Sequence, residues 1–158
     1  MRTKKAKIRE TIPDTRFRSA IVAKLINRSM QDGKKSVAQK QVYAALEQVA
    51  GVTKKSAVEV LDEVLRVVMP QMEVRTRRVG GASYQVPMPV RGRRGQSLVI
   101  RWLVAEANKR PNKQFHSYAE KLAAEMLDAL DNKGGTIEKR NVSHRMAEAN
   151  KAFSHFRW

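Results

Sequence analysis

Apolar residues recur at helical spacing through most of this chain and change to a period of two at one place, Met72. That change constrains the fold more than any other feature, because side chains three and four apart share a helix face while alternate ones share a strand face. Before it, Ile21, Val22, Leu25, Ile26 and Met30 form one stripe. Ala38, Val42, Ala45, Leu46 and Val49 form a second, and Val58, Leu61, Leu65 and Val68 a third. Gly33 is expected to end the first helix and Gly51 the second, since glycine accepts the left-handed conformation beyond a helix C-terminus. Ser56-Ala57-Val58-Glu59 reads as a capping box opening the third helix, and Pro70 as its stop. Short turns between these helices favour antiparallel neighbours in a bundle.

From Met72, the residues Met72, Val74 and Thr76 alternate with Glu73, Arg75 and Arg77. Val79 to Ser83 reads as a flexible turn, and Tyr84-Gln85-Val86 resumes the alternation. Pro87 and Pro89 remove two backbone donors, which an edge strand tolerates and the interior of a sheet does not. The expectation is a two-stranded hairpin over residues 72–91, too small to be stable in water without support from helices or a partner. Beyond it, Leu98, Val99, Trp102 and Leu103 mark a fourth helix, and Phe115, Tyr118, Leu122, Met126 and Leu130 a fifth. Asn132-Lys133-Gly134-Gly135 is a turn. Thr136 is expected to cap a sixth helix that turns Val142, Met146 and Ala149 inward. The expected fold is mainly α, a bundle of six helices with one protruding two-stranded β-hairpin between the third and fourth. Residues 1–18, with seven basic and two acidic side chains and few core formers, read as a basic flexible arm. Residues 19–158 read as a single domain.

Thirty-two Lys and Arg against fifteen Asp and Glu leave a formal charge of +17. An excess of this size repels itself in the folded state and makes physical sense beside a polyanion. RNA, DNA and an anionic membrane surface are the three candidates. The membrane requires a basic helix with a free apolar face, and these stripes are needed to pack six helices together. Physics alone leaves RNA only modestly ahead of DNA. Without cysteine there is no thiolate zinc site, disulfide or cysteine nucleophile. No apolar run is long enough to span a bilayer. The basic N-terminus lacks the apolar stretch of a secretory signal and reads as an arm retained on the mature chain.

Catalysis finds little to build on. His116, His144 and His155 are the only histidines, and none stands at a metal-ligand spacing. His144 and Glu148, four apart, read as a surface pair. Gly80-Gly81 and Gly134-Gly135 are not phosphate-cradling loops. The chain reads as no enzyme, with no metal, no cofactor and no small-molecule substrate. Basic residues give the stronger signal because they concentrate: Glu73 to Arg94 holds six arginines, one acidic residue and one tyrosine. Guanidinium forks bind phosphate in pairs of hydrogen bonds and stack on bases.

Three blocks carry a family resemblance. They are Asp32-Gly33-Lys34-Lys35-Ser36; Arg77-Arg78-Val79-Gly80-Gly81 with Tyr84-Gln85-Val86-Pro87, continuing to Arg101-Trp102; and His144 to Phe153 with Phe156-Arg157-Trp158. In these the chain resembles small-subunit ribosomal protein seven of the bacterial type, over nearly its whole length. The arm differs in lacking an opening cluster of consecutive arginines, and Arg91-Gly92-Arg93-Arg94-Gly95 is richer in glycine than the family pattern.

The resemblance implies a cytoplasmic structural constituent of the small ribosomal subunit, a primary ribosomal RNA-binding protein that nucleates head assembly. It implies a position at the subunit interface near the mRNA exit path and exit-site tRNA, with small-subunit ribosomal proteins nine and eleven as partners. By position it assigns ribosomal RNA contacts to Arg2, Lys4, Lys5, Lys7 and Arg9 of the arm and to Lys34 and Lys35. It assigns them also to Arg75, Arg77 and Arg78 of the hairpin and to Arg91, Arg93, Arg94 and Arg101. Gly80, Gly81, Arg145 and Asn150 are implied to lie near tRNA and mRNA.

Overall fold

A computed structural model describes residues 10–156. Among them, α1 (Ala20–Ser29), α2 (Lys35–Thr53) and α3 (Ala57–Val68) precede a ribbon of β1 (Met72–Val79) and β2 (Ala82–Pro89). Then come α4 (Gly92–Lys109), α5 (Tyr118–Leu130), α6 (Gly135–Ala149) and a short 3-10 helix, Lys151–Phe156. The architecture is the expected helical bundle with one hairpin between the third and fourth helices. α2 packs on α1, α3 and α5, and α5 packs in turn on α3 and α4. Leu25, Ile26, Leu46, Leu61, Leu103, Leu122 and Met126 fill the space between them, each essentially without solvent exposure. Side chains of this size contribute about 1.5–3 kcal/mol each on burial.

Several helix ends differ from the sequence expectation. α1 stops at Ser29, with Met30 already extended, so Gly33 does not cap it. Instead Asp32 and Gly33, with φ of 51° and 73°, form a left-handed turn that redirects the chain into α2. α2 runs through Gly51 and ends where Lys54 turns left-handed. One exposed glycine costs a helix only about 1 kcal/mol, and the buried face of α2 outweighs that. In α3 the box is complete: the Glu59 N–H donates to Ser56 Oγ, and the Ser56 N–H to Glu59 Oε2. Its buried stripe is Val60, Leu61, Val64, Leu65 and Val68, with Val58 rotated to its margin. Phe115 precedes α5, which is capped by Ser117, and lies instead under the Arg110 guanidinium, 5.3 Å from its ring centre.

The segment before α1 is tied to the body. Asp14 is buried; its carboxylate accepts the N–H groups of Arg16 and Phe17 and the Tyr43 hydroxyl at 2.6 Å. Phe17 packs edge-on against the Tyr43 ring. The Pro13-Asp14 turn is thus anchored on α2 by a side chain four helical positions before Glu47, which itself pairs with Arg16.

The ribbon is regular from Met72↔Pro89 to Val79↔Ala82. Its turn is tighter than the five residues read as flexible, because Gly80 and Gly81 alone make it, with φ of 57° and 89°. A two-residue hairpin turn with both φ positive matches the strand twist and strongly favours glycine. The root is supported from both sides: Val86 and Pro87 are buried, and Ser143 of α6 donates from Oγ to the Met72 carbonyl.

α6 departs most from expectation. Thr136 is not its cap; Gly134 occupies that position, and Glu125 of α5 accepts both the Thr136 N–H and its hydroxyl. Of the apolar face expected inward, Val142 and Met146 remain 40% and 53% exposed, and Ala149 is exposed. Thr136, Ile137 and Ala147 are buried instead. The reason is position: α6 lies at the edge of the bundle beside the ribbon, where one helical turn and one alanine suffice to fill the contact.

Candidate nucleic-acid interface

Helix starts give the first indication of where an anion belongs. The N-terminus of a helix carries partial positive charge, so acidic residues and oxygen caps stabilise it and cations do not. α3 and α5 follow this rule with Ser56–Glu59 and Ser117–Glu120. α2 and α4 break it. They begin at Lys34 and Arg91, have no side-chain cap and no acidic residue in the first turn, and place Lys35, Arg93 and Arg94 there. Two helices thus concentrate positive charge at ends that are already positive.

At α4 this arrangement becomes a surface. Arg93, Ser97 and Arg101 fall four apart along one face, opposite Lys24, Asn27 and Arg28 of α1. Between them runs an open groove of about 410 Å³. Arg28, Arg93 and Arg101 are exposed and pair with no carboxylate among the described residues. Lys24 reaches across to Gln96 Oε1 at 3.2 Å, linking the two walls. Sequence reasoning does not single out Lys24 and Arg28. Their spacing of four, at the margin of the apolar stripe of α1, is the available signal, but an isolated helix does not reveal which neighbour faces it.

The ribbon root makes a second basic hollow, lined by Arg75, Arg91 and Arg94 with Met88 and Pro89. Glu73 organises it. Its buried carboxylate holds Arg75 through Oε1 at 2.6–2.7 Å and Arg94 through Oε2 at 3.0 Å. Each guanidinium is thereby fixed by part of its fork and presents the rest to solvent. Gly95 lets α4 approach the chain before the ribbon: an added Cβ would meet Met69 Sδ at 2.9 Å. Gly95 therefore has a packing role.

The remaining residues singled out in the sequence are distributed more widely. Arg77 stands opposite Tyr84 and Arg78 opposite Ser83, on alternate faces of the ribbon. Lys34 and Lys35 are exposed at the start of α2, Lys34 beside Ser29, Asn108 and Tyr118 and apart from the α1–α4 groove. Gly80 and Gly81 form the exposed tip. Arg145 is exposed on α6, and Asn150 ends that helix, its amide donating to the Met146 carbonyl. The 3-10 helix brings Phe153 and Phe156 to within 5.3 and 5.2 Å of the Tyr84 ring centre, so the C-terminal segment lies along the outer half of the ribbon. Arg2, Lys4, Lys5, Lys7 and Arg9 lie outside the described residues.

His144 does not pair with Glu148; its Nε2 accepts the Gln71 N–H at 3.0 Å, fastening α6 to the ribbon root. Among the described residues no three His, Cys, Asp or Glu side chains gather to hold a metal ion. No helix described is long and apolar enough to cross a membrane.

Comparison with known proteins gives one consistent result. The chain is 55% identical over 150 residues to small ribosomal subunit protein uS7 of Caldanaerobacter subterraneus subsp. tengcongensis, covering 95% of this chain and 94% of that one. It is 53% identical over 152 residues to the uS7 protein of Caldicellulosiruptor saccharolyticus, covering 96% of each. With the uS7 protein of Azorhizobium caulinodans it shares 50% identity over 157 residues, 99% of each chain. The family model described as ribosomal protein S7p/S5e matches residues 1–151. The chain with the basic α1–α4 groove and the arginine-lined ribbon belongs to the ribosomal protein S7p/S5e family.

Proposed function

We propose that this ribosomal protein is a structural constituent of the small subunit that binds ribosomal RNA directly and nucleates assembly of the head. The observation carrying this reading is the basic, uncapped start of α4 beside the α1–α4 groove, where Arg28, Arg93 and Arg101 pair with no carboxylate among the described residues. Charge so placed destabilises the free protein and is offset only when phosphate arrives. Lys24, Arg28, Arg93 and Arg101 would hold backbone phosphates in the groove. Arg75, Arg77, Arg78, Arg91 and Arg94 would hold them along the ribbon, and Lys34 and Lys35 at the start of α2. Arg2, Lys4, Lys5, Lys7 and Arg9 would add contacts from an N-terminal arm. Gly80, Gly81, Arg145 and Asn150 would face exit-site tRNA and mRNA, with small-subunit proteins nine and eleven as protein neighbours.

The ribbon separates assembly from translation. Replacing Arg75, Arg77, Arg78, Arg91 and Arg93 with Ala should lower RNA affinity and the yield of assembled heads. Shortening the ribbon between Val79 and Tyr84 should leave assembly intact and weaken retention of exit-site tRNA. Purified subunits carrying each variant would be assayed for head proteins and for exit-site tRNA; equal assembly defects would refute the division. A free regulatory RNA-binding module is the competing reading, and it requires a mainly unassembled pool. Sedimentation of the tagged chain through a sucrose gradient decides, because a subunit constituent migrates in stoichiometric amount with small subunits.

A further inference from the structure

The ribbon has no core of its own, and its direction is set by what holds it: the Glu73–Arg94 pair to α4 and the helix α6 at its root, and the 3-10 helix that continues from α6 along its outer half. The root contacts to α6 are specific. Ser143 donates to the Met72 carbonyl at 3.0 Å, and the Gln71 N–H donates to His144 Nε2 at 3.0 Å. One turn earlier Arg140 donates to the Val67 carbonyl at 2.6 Å, at the end of α3. α6 is therefore a strut under the ribbon, yet its own burial is slight. Val142 and Met146 stay half-exposed in a hollow beside Leu98 and Trp102 of α4, and the buried residues of the helix lie mainly in its first turn.

That turn is clamped by a charge where a hydrophobic residue would be expected. Glu125 lies on the core-facing side of α5 with Leu122, Met126 and Ala129, and its side chain is only 2% exposed. Oε1 accepts the Thr136 N–H at 2.8 Å and the Thr136 hydroxyl at 2.6 Å. Oε2 accepts two hydrogen bonds from Arg110, the residue that ends α4. A buried carboxylate satisfied in this way fixes one orientation, whereas apolar packing at a helix end tolerates sliding.

We infer that Glu125 is a positioning residue for the ribbon. Through Thr136 and Arg110 it sets the lie of α6, and α6 sets the direction in which the hairpin projects. Strands of eight residues extend roughly 26 Å at about 3.3 Å per residue, so a small rotation at the root becomes a large displacement at the tip. The consequence for RNA rests on the proposed function; the positioning itself does not.

The test uses the full chain, whose lack of cysteine makes introduced labels unique. Spin labels at Ser83→Cys on the ribbon and Gln48→Cys on α2 report the distance distribution between tip and body. Labels at Gln48→Cys and Ala105→Cys report on the body alone. In the free protein Thr136→Val should broaden the tip distribution by roughly twofold and leave the body pair unchanged, because it selects among ribbon orientations and not among folds. Thr136→Ser, which keeps the hydroxyl, should restore the parent width, and Glu125→Ala should broaden it further. Thr136→Val decides alone should Glu125→Ala not fold. An unchanged tip distribution in Thr136→Val, or equal broadening of the body pair, overturns the inference. With a head-domain ribosomal RNA fragment, Thr136→Val should lose affinity several-fold without changing the salt slope, since no phosphate contact is removed. A changed slope would make Thr136 part of the contact surface and would overturn the positioning role.

Discussion

Replacing Lys24, Arg28, Arg93 and Arg101 together with Ala should separate RNA binding from folding. Each phosphate neutralised on a duplex contributes about 0.9 to the slope of log affinity against log salt. Four contacts in one groove therefore supply a slope of about −3.6, which the variant should lose. At 0.1 M salt, one decade below 1 M, that loss is about 4,000-fold in affinity, or about 5 kcal/mol. The fold should scarcely notice, because Arg28, Arg93 and Arg101 are exposed without ionic partners among the described residues, and Lys24 contributes one weak hydrogen bond. Surface changes of this kind stay within about 0.5 kcal/mol each. Fluorescence anisotropy with a labelled head-domain RNA fragment, titrated from about 0.05 to 0.5 M salt, gives slope and affinity together. A control replacing the exposed Lys113 and Lys133, on the loops after α4 and α5, removes charge without touching the groove. If the fourfold variant kept its slope within about one of the parent, the groove would not be a phosphate track. A control that lost as much per charge would refute the groove equally.

Deleting residues 1–9 should weaken RNA binding and flatten its salt slope while leaving the thermal midpoint of the free protein in place. Extending the deletion through residue 18 should lower the midpoint as well, because it removes the Asp14–Tyr43 and Phe17–Tyr43 contacts. Burial pushes the Asp14 carboxyl up, but the Tyr43 hydroxyl and the Phe17 and Arg16 N–H groups outweigh it and hold the carboxyl below its ordinary value. A pKa lowered by folding contributes stability that is full above the unfolded value and is lost as pH falls through the folded one. Asp14→Asn should therefore cost about 1 kcal/mol at neutral pH, and its midpoint should converge with the parent's in acid. A gap independent of pH would show that the charge is not what matters. Ser56→Ala, which opens the capping box of α3, should cost about 1 kcal/mol in urea denaturation, with RNA binding unchanged.

Much of this molecule is determined locally and can be read along the chain. The three stripes before Met72, the switch to alternation, the Ser56–Glu59 cap and the stop before Pro70 all depend on residues within one or two turns of each other. Burial of a helix face or ribbon face repeats at a fixed spacing, so sequence alone conveys the bundle, the hairpin and its place between α3 and α4. The clustering of arginines from Arg75 to Arg94 was legible for the same reason, as a feature of one continuous segment. What the tertiary structure decided are juxtapositions between segments. Lys24 and Arg28 became half of a groove because α1 packs beside α4, 60 to 80 residues away. Thr136 looked like a cap but is held by Glu125, a charge on the core-facing stripe of α5 whose reason lies on two other helices. Val142 and Met146 keep helical spacing yet stay largely exposed, because α6 meets Leu98 and Trp102 of α4 there only across an open hollow beside the ribbon. Spacing specifies which side chains share a face, but whether that face meets core, ribbon or water depends on the packing of elements distant in sequence.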